Sequence, residues 1–227
     1  MTLNQKDYPL IKINSVESAS VSFMKQTYQL FATSLFVAAM GAYLTMPYTE
    51  TIIQYRWFIF GFELFMLFIG LTITKNKPGL NVMALFIFTF TTGVSLVPIF
   101  AMLIGMGKGN IIVNAFLMTA VLFAALSLFA INSKEDYSSW GKALFITLIV
   151  VIIGSLVNIF LLQSPIFDVI ITAGILFLFS LFTIYDTQNI ANGAYDSPVD
   201  ATISLYLDFL NIFTALLKFL GMFGRDE

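Results

Sequence analysis

The chain has 227 residues, 59% hydrophobic and 11% charged, with a formal charge of −2 and a mean hydropathy of +0.90. Water-soluble domains carry about 25% charged residues, so the composition excludes one and reads as a polytopic membrane protein, with no case for nucleic acid. Cysteine and histidine are both absent, which excludes disulfides, haem or zinc ligation through those side chains and thiol or imidazole catalysis.

Residues 1–26, MTLNQKDYPLIKINSVESASVSFMKQ, lack a long apolar core, so no ordinary signal peptide opens the chain and they read as a polar cytosolic tail. Residues 27–227 read as one transmembrane domain. Seven apolar runs fall at 27–48, 57–74, 81–105, 111–132, 143–163, 166–186 and 201–222, each near the ~20 residues a spanning helix needs. The fold expected is all-α, with short turn-rich connectors such as KNKPGL, GMGKGN and NGAYDSPVD. In the second run Glu63 is placed either to line an internal pathway or to reach the outer interface, and Lys75 and Lys77 cap the inner end. Gly93 and Pro98 are potential kinks in the third. Asn114 and Asn158 read as packing residues.

One side of the membrane collects seven basic residues (Lys6, Lys12, Lys25, Lys75, Lys77, Lys134, Lys142) and the other four (Arg56, Lys108, Lys218, Arg225). The positive-inside rule then places the N-terminus in the cytosol and the C-terminus outside.

The seventh run carries Ser204, Asp208, Asn211, Thr214 and Lys218 at steps of three and four residues, hence on one helical face. Such a stripe belongs inside a bundle rather than against lipid. Hydroxyls and amides there can simply join helices, but a carboxylate costs about 2.5–3.5 kcal/mol at a bilayer centre. Asp186 ends the sixth run, in SLFTIYDTQNI. If the neighbouring sixth and seventh helices bring Asp186 and Asp208 to one depth, the two share a proton and titrate as a unit. That gives a histidine-free chain its proton switch. Lys75 and Lys77, at the same inner end, are the nearest counter-charges to Asp186 by placement, with Lys75 taken as the gating partner.

No nucleotide loop, nucleophile-and-base set or metal-ligand spacing is present, and no enzymatic activity is expected. Intramembrane aspartyl proteases show YD…GxGD; here Tyr185 and Asp186 supply YD, but YLDFLN replaces the second motif.

The segments FSLFTIYDTQNI, ISLYLDFLNIFTALLKFLG and FTFTTGVSLVPI resemble the Bax inhibitor-1 (transmembrane Bax inhibitor motif) family, especially its small bacterial calcium-leak members. The resemblance runs from about residue 27 to the end. It implies a seven-helix fold whose last helix is central and wrapped by two three-helix layers. It also implies a pH-sensitive calcium leak of the plasma or inner membrane, controlled by an aspartate dyad at Asp186 and Asp208, with Glu63 as the acidic residue of the second helix. Lys75, or Thr74 one residue earlier, stands where a bacterial member has arginine, and lysine lacks the two-pronged grip of a guanidinium. The expectation is a proton-gated path lined by Glu63, Ser204, Asn211 and Lys218, with calcium held only in transit by Asp208, Asp186 and Glu63 and no tightly bound cofactor. Two alternatives stand beside it: a regulator binding a membrane-anchored protease through residues 1–26, as other bacterial relatives do, and a proton-coupled secondary transporter.

Overall fold

A computed structural model describes residues 8–223 of the backbone and side chains from 20 to 222. Lys6 and Arg225, used in the charge count, and the side chain of Lys12 lie outside the described residues, as does the start of the expected tail. Seven helices long and apolar enough to cross a membrane stand among the described residues: α1 (Tyr8–Thr45), α2 (Arg56–Thr74), α3 (Pro78–Gly105), α4 (Asn110–Asn132), α5 (Gly141–Val157, prolonged by a π-helical turn to Leu162), α6 (Pro165–Ala191) and α7 (Pro198–Phe223). The helix of α1 begins at Tyr8, so the backbone of residues 8–26, expected as tail, continues the first helix.

Turn chemistry makes the reversals sharp. Lys77 is extended ahead of Pro78, which opens α3 at the position where proline's missing N–H is not needed. Gly107 and Gly193 take left-handed φ values of 74° and 72°. Each closes a Schellman turn: Lys108 N donates to Leu103 O after α3, and Ala194 N to Asn189 O after α6.

The seventh helix is central. It packs on α6, α4, α1 and α3, with α1–α3 forming one layer and α4–α6 the other. Half of its apolar window is buried (50%), against 11% for the peripheral α2 and α5. Leu205, Ile212 and Leu217 are fully enclosed, and Phe209 meets Phe31, Phe116 and Phe123 in an aromatic cluster. Large apolar side chains on the outside, such as Phe58, Val121 and Phe160, are exposed, as a surface solvated by hydrocarbon requires. The third helix remains continuous past Pro98. Gly93 serves a close crossing: a Cβ there would strike the carbonyl oxygen of Ala38, and one at Gly41 that of Phe90.

Candidate functional site

Asp186 and Asp208 lie deeper in their helices than apolar runs suggest. The sixth helix continues to Ala191, so Asp186 sits more than a turn inside it, and α7 starts at Pro198 rather than 201. The antiparallel pair thereby brings both side chains together. They are 7% and 2% exposed, and their carboxyl groups are in hydrogen-bonding contact. Among the described residues Asp208 Oδ2 has no donor. Two carboxylates offer acceptors only, so the contact is favourable when one proton lies between them.

The loop between α6 and α7 covers this pair. Gly193 turns the chain back at one end. At the other, Ser197 Oγ accepts from Asp200 N at 3.1 Å, an N-cap one residue before Pro198. Fixed at both ends, the loop folds Tyr195 inward, half-buried, and its hydroxyl donates to Asp186 Oδ1 at 2.7 Å. Ser204 of α7 hydrogen-bonds the same hydroxyl. Burial, then the charge of Asp186, push the Tyr195 phenol well above its usual range, so it remains a neutral donor at any physiological pH.

Lys75 was expected to face Asp186. Its Nζ instead lies 3.0 Å from Asp196 Oδ2 and 3.2 Å from Asp200 Oδ2, because Asp186 is sealed beneath Tyr195 while the lysine head stays at the helix end. Its hydrogen bonds to Asp196 and then Asp200, reinforced by their charges, raise Lys75 above its ordinary 10.5. A cation with a raised pKa keeps its charge in this clasp below its free value and loses it only as pH climbs through the raised one. Lys75 therefore stays charged near neutrality and ties the inner end of α2 to the loop.

A second connection fixes the end of α6. Gln188 Nε2 donates to Glu135 O at 2.7 Å and Gln188 Oε1 accepts from Tyr137 N at 2.6 Å, clamping the α4–α5 loop. Thr187 Oγ1 donates to Ser127 Oγ of α4 at 3.2 Å, and Gly141 leaves room for the Tyr185 ring.

The other residues picked from sequence lie apart from the pair. Glu63 accepts a short hydrogen bond from Ser95 of α3, within electrostatic reach of Tyr206 on α7. Tyr206 in turn bonds Thr92. Lys218 forms a 2.6 Å ion pair with Asp168 in the first turn of α6. Asn211 Nδ2 and Thr214 Oγ1 bond carbonyls of their own helix, at Leu207 (2.7 Å) and Leu210 (2.9 Å). Asn158 is structural: its Oδ1 caps Ser164 N at 3.0 Å. Among the described residues no three carboxylate, histidine or cysteine side chains converge on a metal position. Reasoning from sequence missed Tyr195, Gln188, Asp168, Asp196 and Asp200. The last two were visible only as acids in a turn beside a lysine-capped helix.

Among the described residues, six spanning helices around a central seventh, with a carboxyl pair buried between the last two, define a multi-pass α-helical membrane protein. The chain belongs to the Bax inhibitor-1 family: the family described as "Inhibitor of apoptosis-promoting Bax1" matches residues 20–225. It is 47% identical over 212 residues to an uncharacterized protein of Helicobacter pylori, covering 93% of this chain and 91% of that one. It is 35% identical over 153 residues to the Modulator of FtsH protease YccA of Escherichia coli, covering 67% and 69%. With Bax inhibitor 1 of Schizosaccharomyces pombe it shares 29% over 218 residues, covering 93% and 80%.

Proposed function

We propose that the protein is a pH-sensitive calcium leak of the inner membrane, gated by the Asp186–Asp208 pair, with the N-terminus in the cytosol and the C-terminus outside. The observation carrying this reading is the contact of two buried carboxyl groups on adjacent helices, one of them the central helix. Tyr195 and Lys75 hold their charge states near neutrality, which leaves the carboxyl pair as the titrating part of the assembly. With its proton, the pair ties α6 to α7. Without it, two negative charges face each other in a water-poor site, where repulsion is far stronger than in water. The helices separate or a cation enters.

Calcium takes oxygen ligands. The pair, the Tyr195 and Ser204 hydroxyls and freed carbonyls supply them near the cytosolic mouth, and Glu63 supplies another carboxylate elsewhere along the bundle. Dispersed ligands favour transit over retention. The clasp from Lys75 to Asp196 and Asp200 keeps the Tyr195 loop closed, and opening requires its release. Calcium flux from proteoliposomes, measured against pH, tests the reading. It should follow a titration in the wild type and lose that dependence in Asp186→Asn and Asp208→Asn; a wild-type profile in both variants would refute it.

A second reading rests on the similarity to a modulator of FtsH protease: the chain would regulate a membrane-anchored protease through residues 1–26. Co-purification with the protease before and after deletion of residues 1–19, which leaves the spanning segment from Ser20 intact, separates the two, since a leak survives the deletion and tail-dependent binding does not.

A further inference from the structure

Phe31 of α1 stacks on Phe123 of α4 with ring centroids 5.0 Å apart, toward the face that carries the N-terminus. Beyond that stack, toward the opposite face, the two helices part. The space between them is a cavity of about 340 Å³, within the ~300–1,000 Å³ of ligand pockets. Its back wall is α7, through Tyr206, Phe209 and Phe213, and part of α3 closes one side. Small side chains on α1 make the room: Ala38, Ala39 and Ala42 face Val113 and Phe116 of α4. The mouth is lateral, since Ala39 is exposed and Val113 is 58% exposed.

The cavity is lined by residues of helices long and apolar enough to span a membrane, and its mouth is lateral, on the side that bilayer lipid would cover. Water does not occupy it stably, because an ordered water needs about two to four polar partners. The hydroxyl of the lining residue Tyr206 is engaged by Thr92. We infer that this cavity is an intramembrane binding site for an acyl chain of a bilayer lipid, entering between α1 and α4 and packing against the central helix. Its wall includes Phe209, next in sequence to Asp208, so a seated chain bears directly on the helix that carries Asp208, one member of the carboxyl pair.

The probe is a phosphatidylethanolamine with a photoactivatable group midway along one acyl chain, reconstituted with the full-length protein. After dilution into excess unlabelled lipid and irradiation, cross-links are mapped by mass spectrometry. Residues 35–42 and 112–116 should retain label at least fivefold above the lipid-facing surface around Val121 and Phe129, both exposed on α4. Filling the site with Ala39→Phe should abolish that excess. Should this variant fail to fold, Val113→Trp at the exposed mouth serves instead. Equal labelling of pocket and outer surface, or an excess that persists in the folded filled variant, would mean annular lipid only and would overturn the inference. Neither outcome depends on calcium transport.

Discussion

Tyr195→Phe removes one oxygen from a loop residue and leaves both aspartates in place. The lost bond is an O–H···O contact of 2.7 Å to Asp186, and a hydrogen bond to a charged acceptor contributes about 1.5–3 kcal/mol. One pH unit corresponds to about 1.36 kcal/mol, so full loss moves a titration by about 1–2 units. Tyr195 is only half-buried and water replaces part of the bond, which favours the lower figure of about one unit. The phenol donates to the ionised form of Asp186, so losing it disfavours ionisation and the midpoint moves to higher pH. Calcium-dye fluorescence in proteoliposomes across a pH series gives that midpoint directly. A midpoint that stays fixed, or moves to lower pH, refutes the placement of Tyr195 as the cap of the pair.

Three further outcomes follow from the geometry. Lys75→Gln should increase hydrogen exchange across residues 192–200 without unfolding the bundle. High salt should act in the same direction on the wild type, since Lys75 and Asp196 are solvent-exposed; unchanged exchange in the variant would count against the clasp. Gly93→Ala forces a methyl onto the Ala38 carbonyl and should destabilise by about 3 kcal/mol or more, whereas Gly105→Ala enters open space and should be nearly neutral in thermal unfolding. Gln188→Ala strips partners from Glu135 O and Tyr137 N and should cost about 2 kcal/mol, read as a lower unfolding temperature; no change would mean water replaces both bonds.

The spans were legible because a helix in hydrocarbon must be apolar over about 20 residues, and every run expected from the sequence overlaps a helix. Their ends were less so. Hydropathy alone stops the sixth run at Asp186, yet α6 continues because that carboxyl is buried against α7 instead of reaching water. The polar first turn of α7 likewise hid its start at Pro198. The spacing of Ser204, Asp208, Asn211, Thr214 and Lys218 located one face but not its partners. Asp208 meets Asp186, Ser204 meets Tyr195 and Lys218 meets Asp168, while Asn211 and Thr214 bond their own backbone. Periodicity carries no information on which of these a polar residue does. Lys75 was recognisable as an interfacial cation, but its partners depend on how the 192–197 loop folds, and nothing local in NGAYDSPVD ranks Tyr195 or Asp196 above its neighbours.

The proposed gate requires that Asp186 and Asp208 hold one proton between them. Infrared difference spectroscopy of the reconstituted protein, titrated through neutrality, reads it directly as the carbonyl band of a protonated carboxyl group. A band lost on raising the pH and altered by either Asp186→Asn or Asp208→Asn is expected. A band that is missing under all conditions, or unchanged in one of the two variants, would contradict it.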